Sequence, residues 1–397
     1  MTQKKKPVLR FKGFTDDWEQ RKLGKLAEFN PKASLPDSFE YVDLESVVGT
    51  RIINHRTEKK DSAPSRAQRL AQPGDVFYQT VRPYQRNNCL FTGAEKSYVF
   101  STGYAQLRSH GDSYFLLTML QKDDFVNSVM DRCTGTSYPA INSNELAEIN
   151  VIFPTIIQEQ KELGQFFKNI DNLITLHQRK YEKLRNLKKF FLKKMFPQNG
   201  KRVPEVRFAG FRGDWEQRKL SEVAEIYDGV HQTPDYRDHG IMFLSVENIT
   251  TLTSEKYISQ EAYDREYKVH PEKGDILMTR IGDVGTPNVV ETDEKLGYYV
   301  SLALLKPHGI DSYFLNNVIQ SSFVQQGLRG RTLLTAIPMK INKDEIGKVE
   351  IYFPVHPEEQ EKIGASFREL DNLITLHQRK LEKLQNLKKA ALDKMFV

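Results

Sequence analysis

Cysteine is nearly absent from this sequence of 397 residues: there are two, Cys89 and Cys133, far apart and outside any Cys-x-x-Cys spacing. That pattern excludes a disulfide-built scaffold and predicts unpaired thiols in a reducing compartment, with the cytoplasm as the expected location. Long apolar runs are missing too. No stretch approaches the ~18 apolar residues that cross a bilayer, so no membrane partner is expected. The opening "MTQKKKPVLRFKGF" is basic but lacks the apolar core and small-residue cleavage site of a secretory signal. No G-x-x-x-x-G-K-[ST] phosphate loop occurs. Neither does an Asn-Pro-Pro-Tyr-type loop that would hold an exocyclic amine, and "NPK" at Asn30 is no substitute. "FAGFRG" at 208–213 has the glycines of a cofactor loop, but its counterpart "FKGFTD" lacks the last one, so a turn against the core is the better reading. "EYK" at 266–268 has no strand pair to frame a nuclease site. His55, His110, His231, His239, His270, His308 and His356 show no ligand spacing, so no metal is expected. These absences argue against a self-sufficient enzyme.

What the sequence has is clustered charge and repetition. Between 158 and 195 there are ten Lys or Arg against four Asp or Glu, most of the cations after Arg179. Clustered cations displace counterions condensed on phosphates, which makes nucleic acid a candidate partner. A solvated helix face is the plainer alternative. "RFKGFTDDWEQRKLGKLAE" at 10–28 returns as "RFAGFRGDWEQRKLSEVAE" at 207–225. "FPTIIQEQKELGQFFKNIDNLITLHQRKYEKLRNLKKFFLKKMF" from Phe153 returns as "FPVHPEEQEKIGASFRELDNLITLHQRKLEKLQNLKKAALDKMF" from Phe353. The period of 197 to 200 residues is far too long for a solenoid. The chain is two copies of one module with like ends and unlike middles, 29–152 and 226–352.

The shared back end predicts a long helix. Pro154 or Pro357 is followed by Glu and Gln, a composition suited to a helix start. Apolar positions then recur every three or four residues: Leu163, Phe167, Ile170, Ile174, Tyr181, Leu184, Phe191 and Met195, with Ile363, Phe367, Leu370, Ile374, Leu381, Leu384, Ala391 and Met395 in the second copy. About 38 residues give a rod of roughly 57 Å. Such a stripe needs a partner stripe, and the other copy supplies it. His177 and His377 fall on this seam and are read as structural, half-buried side chains. Pro197, Gly200 and Pro204 end the first rod. By internal symmetry the end of the second rod should lie near residues 8–23. In the middles, "GDVFYQTV" and "GDILMTRI" predict strands entered through a Gly-Asp turn, and 112–132 and 311–329 predict helices capped at Asp or Ser. "EINVIFP" and "KVEIYFP" predict the strands before the rods.

The expected fold is therefore mixed α/β (α+β): two globular domains in pseudo-twofold arrangement, separated by a pair of long antiparallel coiled-coil helices. The expected boundaries are 1–157 for the first domain, 158–196 for the first spacer helix, 197–357 for a short linker and the second domain, and 358–397 for the second spacer helix. One turn of B-DNA advances about 34 Å, so rods of this length suit two readers held a turn or so apart.

The paired motifs "WEQRKLGKLAEF" and "WEQRKLSEVAEI", then "DGVHQTPDYRDHGIMFLSVENI", "GDVFYQTVRP" and "GDILMTRIGDVG", then "FPTIIQEQ" and "FPVHPEEQ" leading to "DNLITLHQRK", run through nearly the whole chain. In that order, twice over, the sequence resembles the specificity (S) subunit of type I restriction–modification systems. Val230 departs from the small polar residue commoner before His231. The resemblance implies two target-recognition domains, each followed by a helical spacer, that read the halves of a bipartite asymmetric site in double-stranded DNA. It implies two methyltransferase (modification) subunits as partners, methylating adenine N6, and restriction subunits that can join them. This chain would then carry no cofactor, with S-adenosylmethionine and ATP bound on the partner subunits.

Base readout needs Arg, Asn, Gln or Lys aimed at base edges, with small donors on phosphates. "QTVRPYQRNN" offers Gln79, Arg82, Gln85, Arg86, Asn87 and Asn88 without an acid among them, and "RCTGTSY" adds Thr134, Thr136, Ser137 and Tyr138. In the second domain the candidates are His231, Gln232, Thr233 and Tyr236; Thr279, Arg280, Thr286 and Asn288; and Arg329, Arg331 and Thr332. Taken singly, each is also an ordinary surface polar group. A rival reading is a non-enzymatic coiled-coil protein whose globular domains bind proteins; salt-sensitive binding to duplex DNA discriminates against it.

Overall fold

Two arginines explain why the front end of the chain is repeated. In a computed structural model of the protein, which describes residues 6–198 and 200–397, Arg10 forks onto Glu159 through Nε and Nη2 at 2.6 and 2.7 Å. Arg207 does the same to Glu359 at 2.6 and 2.8 Å. Both glutamates are fully buried in the first turn of a long helix. Removing either partner of such a pair leaves an uncompensated buried charge, at about 3–5 kcal/mol. The next residue, Gln160 or Gln360, accepts from the Asp112 or Asp311 N–H and donates to the Pro154 or Pro354 carbonyl. The repeated Glu-Gln thus ties the helix start to the front segment and to the strand before it. Residues 1–5 of the basic opening and Asn199 of the linker lie outside the described residues.

The chain divides into two units, Met1–Gln178 with Arg379–Val397, and Arg179–Gln378, so the division falls inside both long helices. Those helices run Ile157–Lys194 and Pro357–Met395. The first unit opens with strand Glu19–Lys22, antiparallel to Asn150–Phe153 just before the long helix. A four-stranded antiparallel sheet follows in the order Ala27–Phe29, Tyr104–Ser109, Asp75–Gln79, Cys89–Leu90. The second unit repeats both features, with Glu216–Lys219 on Glu350–Phe353 and a sheet ordered Ala224–Asp228, Leu302–Pro307, Ile276–Thr279, Pro287–Val289. The units part company in the remaining sheet. The first has four strands, Arg56–Lys59, Ser38–Val42, Tyr98–Ser101 and Ala67–Leu70; the second has three, Tyr257–Ile258, Ile241–Leu244 and Leu296–Tyr298, with an added helix Gln260–Glu266.

Each single helix expected after the central sheet is two helices. Ser113–Met119 and Asp123–Met130 replace one, and Ser312–Gln320 and Ser322–Arg331 the other. The break has a packing reason: Leu120 and Phe125 are both buried, whereas on one straight helix they would face about 140° apart. Asp112 and Asp311 cap the first helix of each pair, accepting from Phe115 and Phe314 N–H at 2.7 Å. These caps sit against Gly164 and Gly364 of the long helices, where an added Cβ would come within 2.1 and 2.3 Å of the Asp oxygens. Glycine is required there by close approach.

Along the first long helix a row of sheltered positions runs through 163, 167, 170, 174, 177, 181, 184, 188, 191 and 195, and the second helix repeats that row two hundred residues on. This alternation of fours and threes is the heptad seam of a coiled coil. His177 and His377 lie on it, half-buried. So do Lys388 and Lys188, which pair with Asp171 in the first unit (2.6 Å) and with Asp371 in the second (2.7 Å). Each pair joins the early part of one long helix to the late part of the other, so the two run antiparallel within each unit. The end of the second helix closes the first unit: Leu9 N–H donates to the Lys394 carbonyl at 2.8 Å, and the Phe396 ring packs on Trp18, Phe115 and Phe167. In the second unit Phe196 meets Trp215, Phe314 and Phe367 in the same way.

Candidate nucleic-acid interface

The candidate loops begin where the central strands Asp75–Gln79 and Ile276–Thr279 end. Three residues on, Arg82 turns into the left-handed region (φ 55°), and its N–H donates to the Pro139 carbonyl at 2.7 Å. Gly282 holds the matching place (φ 82°) and donates to the Met339 carbonyl at 2.8 Å. One hinge therefore sets loop 82–88 beside hairpin 134–140 in the first unit, and loop 282–288 beside hairpin 333–340 in the second. Both hairpins are closed by backbone bridges, Thr134 to Ala140 and Leu333 to Lys340.

In the first unit the hinge carries a non-glycine residue at a conformation strained by about 1–3 kcal/mol, and Arg86 (φ 56°) repeats it. Side chains within the loop hold it there. Gln79 Nε2 donates to Gln85 Oε1 at 2.9 Å, Gln79 Oε1 accepts from Asn87 N–H at 3.3 Å, and Asn88 Oδ1 accepts from Gln79 N–H at 2.7 Å. Asn87 Oδ1 also accepts from Gly49 N–H at 2.9 Å. Arg86 pairs with Asp123 at 2.6 Å and donates to the Gln121 carbonyl. Arg82 is left over: its guanidinium lies 4.2 Å above the exposed Tyr138 ring, a cation–π pair, with Thr134, Thr136 and Ser137 exposed on the same hairpin.

In the second unit His231, Gln232, Thr233 and Tyr236 are exposed on the loop after strand Ala224–Asp228. Gly229 opens it, since a Cβ there would lie 2.5 Å from the Tyr299 carbonyl. Val230, the departure noted in the sequence, serves as backbone, accepting from Val300 N–H at 2.9 Å. Lys256 lies over the Tyr236 ring. Arg329 is exposed and has no carboxylate partner among the described residues, while Arg331 reaches Glu345 only at 3.4 Å. Thr286 is exposed, and Thr332 spends its hydroxyl on the Leu328 carbonyl.

Four expected base readers present no polar edge to solvent, although Asn88 Nδ2 has no hydrogen-bond partner within the fold. Gln79, Asn88, Thr279 and Arg280 are buried. Arg280 Nε donates to the Ile341 carbonyl at 3.1 Å, and its Nη1 pairs with Asp228. Burial lowers the pKa of this guanidinium from the usual arginine value, and the Asp228 carboxylate supplies the counter-charge. Thr279 Oγ1 binds Asp283 and accepts from Thr286 N–H. Asn288, half-buried, donates to the Ile249 carbonyl at 2.8 Å. These groups shape the loops from inside the fold. A search for polar donors also passes over exposed side chains of another kind: Tyr84 at 51% exposure, and Leu334 at 62%, Ile337 at 101% and Met339 at 37%. The available signal was an apolar run inside a loop with no strand or helix to bury it.

The family model described as type I restriction modification DNA specificity domain matches residues 15–186 and again 212–386. The chain belongs to that family. As a specificity chain it is 23% identical over 297 residues to the type I restriction enzyme MjaVIII specificity subunit of Methanocaldococcus jannaschii, covering 71% of this chain and 68% of that one. Its fold is that of the type I restriction–modification system S subunit from M. genitalium, a crystal structure superposed with a TM-score of 0.70 over 99% of both chains at 14% identity. Mixed α/β domains with two long helices are common ground between this specificity chain and that structure. Among the described residues of the specificity chain no helix is long and apolar enough to cross a membrane, and no cluster of His, Cys, Asp or Glu suits a metal ion.

Proposed function

We propose that this chain is the DNA-reading subunit of a cytoplasmic type I restriction–modification complex and does no chemistry itself. Each domain, within 1–157 and 197–357, reads one half of a bipartite asymmetric duplex site. The helices at 158–196 and 358–397 set the gap between the halves and dock two methyltransferase subunits that modify adenine N6. Restriction subunits join through those partners, which carry S-adenosylmethionine and ATP. The observation behind this reading is that one backbone hinge, at Arg82 and at Gly282, presents chemically different hairpins from otherwise matching frames. A like frame with unlike tips is what two different half-sites require. The contacts we assign to DNA are Arg82, Thr136 and Tyr138 in the first domain, with Arg86 and Gln85 beside them. In the second they are His231, Gln232, Thr233, Tyr236, Arg329 and Arg331.

Docking of two like partners is supported by apolar side chains left in water at equivalent places on both helices. Leu173 and Leu373 are 44% and 37% exposed, Leu176 and Leu376 45% and 44%, and Leu187 and Leu387 38% and 49%. Exposed leucine rows on a helix mark protein contact. Leu173→Glu with Leu176→Glu should abolish capture of one methyltransferase subunit, and the same changes at 373 and 376 should abolish the other. Mass measurement of the purified complex checks this, with circular dichroism to confirm that the helices persist. The reading as a whole is tested by mapping methylated adenines in cells carrying this chain with its modification partner. A single bipartite motif is expected; methylation without a two-part motif would end the proposal.

A further inference from the structure

The hairpin at 333–340 in the second unit is anomalous for a surface loop. Ile337 is fully exposed, Leu334 nearly two-thirds exposed, and Leu333 and Met339 stand out beside them. Among the described residues no fold element covers this tip, although an exposed apolar cluster on a protein surface usually marks a contact. Its setting identifies the occupant. From Arg329 to Lys343 the chain carries four cations, Arg329, Arg331, Lys340 and Lys343, and no acid. An apolar tip flanked along the chain by exposed cations, of which Arg331 meets Glu345 at 3.4 Å, fits a polyanion that also offers apolar groups. Duplex DNA does so on the floor of the major groove, where the thymine 5-methyl is the one apolar feature distinguishing base pairs, and the groove admits a two-stranded ribbon. The segment is no ladder of its own: the single Leu333–Lys340 bridge closes a compact loop whose tip is offered to the same groove. The matching hairpin of the first unit carries exposed Thr136 and Ser137 beside Tyr138, whose ring lies under Arg82, a polar reader at the same place.

We propose that Ile337 and Leu334 read thymine methyl groups, so that the half-site taken by the second domain contains thymine where the first domain's counterpart makes polar contacts. The inference rests on the DNA-reading function proposed above and names the chemistry of one half of it. The phosphate charge is met by Arg329, Arg331 and Lys340 around the tip, and the methyl contact is made by the tip itself.

The test uses the full chain assembled with its methyltransferase subunits and duplexes bearing the target mapped by methylation. Each thymine of the two half-sites is replaced in turn by deoxyuridine, which removes only the methyl group. Replacement of at least one thymine in a single half-site should weaken binding roughly fivefold. Ile337→Ala with Leu334→Ala should weaken binding to the parent duplex similarly and erase the difference between thymine and deoxyuridine at that position. Both side chains lie outside the core, so the variant keeps its fold. Specific binding that ignores every deoxyuridine replacement would overturn the inference while leaving the DNA-reading function intact, and absence of specific binding would overturn that function instead. A double variant that still discriminates thymine from deoxyuridine, or one that fails to bind methyltransferase in the absence of DNA, would also overturn it, the latter because the tip would then be a protein contact.

Discussion

Arg82 is the hinge residue of the first unit and Arg280 lies two residues before the hinge of the second, Gly282, yet they do different work. Arg280 is 6% exposed and bound to Asp228 and the Ile341 carbonyl; Arg82 lies half-buried over an exposed tyrosine. Arg280→Ala should therefore destabilise the second unit by about 3 kcal/mol, because Asp228 loses its counter-charge. Arg82→Gly keeps the left-handed hinge, so it should leave stability within about 1 kcal/mol of the parent while weakening specific binding by about 1–3 kcal/mol. Urea denaturation and DNA titration on the same preparations separate the two. The sequence could not distinguish these arginines: Asp228 lies 52 residues from Arg280, and only the folded sheet brings them together. A second residue-scale effect centres on Glu40, buried on strand Ser38–Val42. Hydrogen bonds from Lys96, then His55, then Thr57 hold its carboxyl at about 2, against the opposing effect of burial. A carboxyl depressed in the fold stabilises it above the unfolded value of roughly 4.3 and loses that contribution as pH falls towards 2. The gap in urea midpoint between the parent and Glu40→Gln should be widest near neutrality and should shrink below about pH 4.5.

At the scale of elements, the long helices were the most legible part of the sequence. Their seam repeats at heptad spacing in both copies, and burial follows it almost position by position. Lys188 and Lys388 were not legible as seam residues, because a lysine there makes sense only once Asp371 and Asp171 are seen opposite. The breaks at Leu120–Lys122 and Ser321 were hidden for a similar reason: apolar spacing runs through them, and the need to bury both Leu120 and Phe125 is tertiary. The spacer proposal is tested on these helices. Inserting four residues, about one turn or 6 Å, after Lys180 should lengthen the gap tolerated between the methylated half-sites. An unaltered gap in a folded complex would count against helices as the determinant of spacing.

For the whole molecule, the duplication separates what must stay the same from what differs. The Arg–Glu forks, the buried glutamines, the capping aspartates and the helix glycines recur in both units, while the third sheet has four strands in one and three in the other. Replacing 29–152 with the corresponding segment of another specificity subunit should thus change one half of the methylated sequence and leave the other half as it was. Methylation mapping reads the outcome directly.

The left-handed hinge shared by Arg82 and Gly282 also constrains how such a protein diversifies. Few side chains tolerate that backbone, so the pivot offers almost no vocabulary, whereas the neighbouring hairpin tips are open to nearly every amino acid. New target preferences should accordingly be written in the tips, with the pivot acting as grammar: it fixes where a letter is placed without contributing letters of its own.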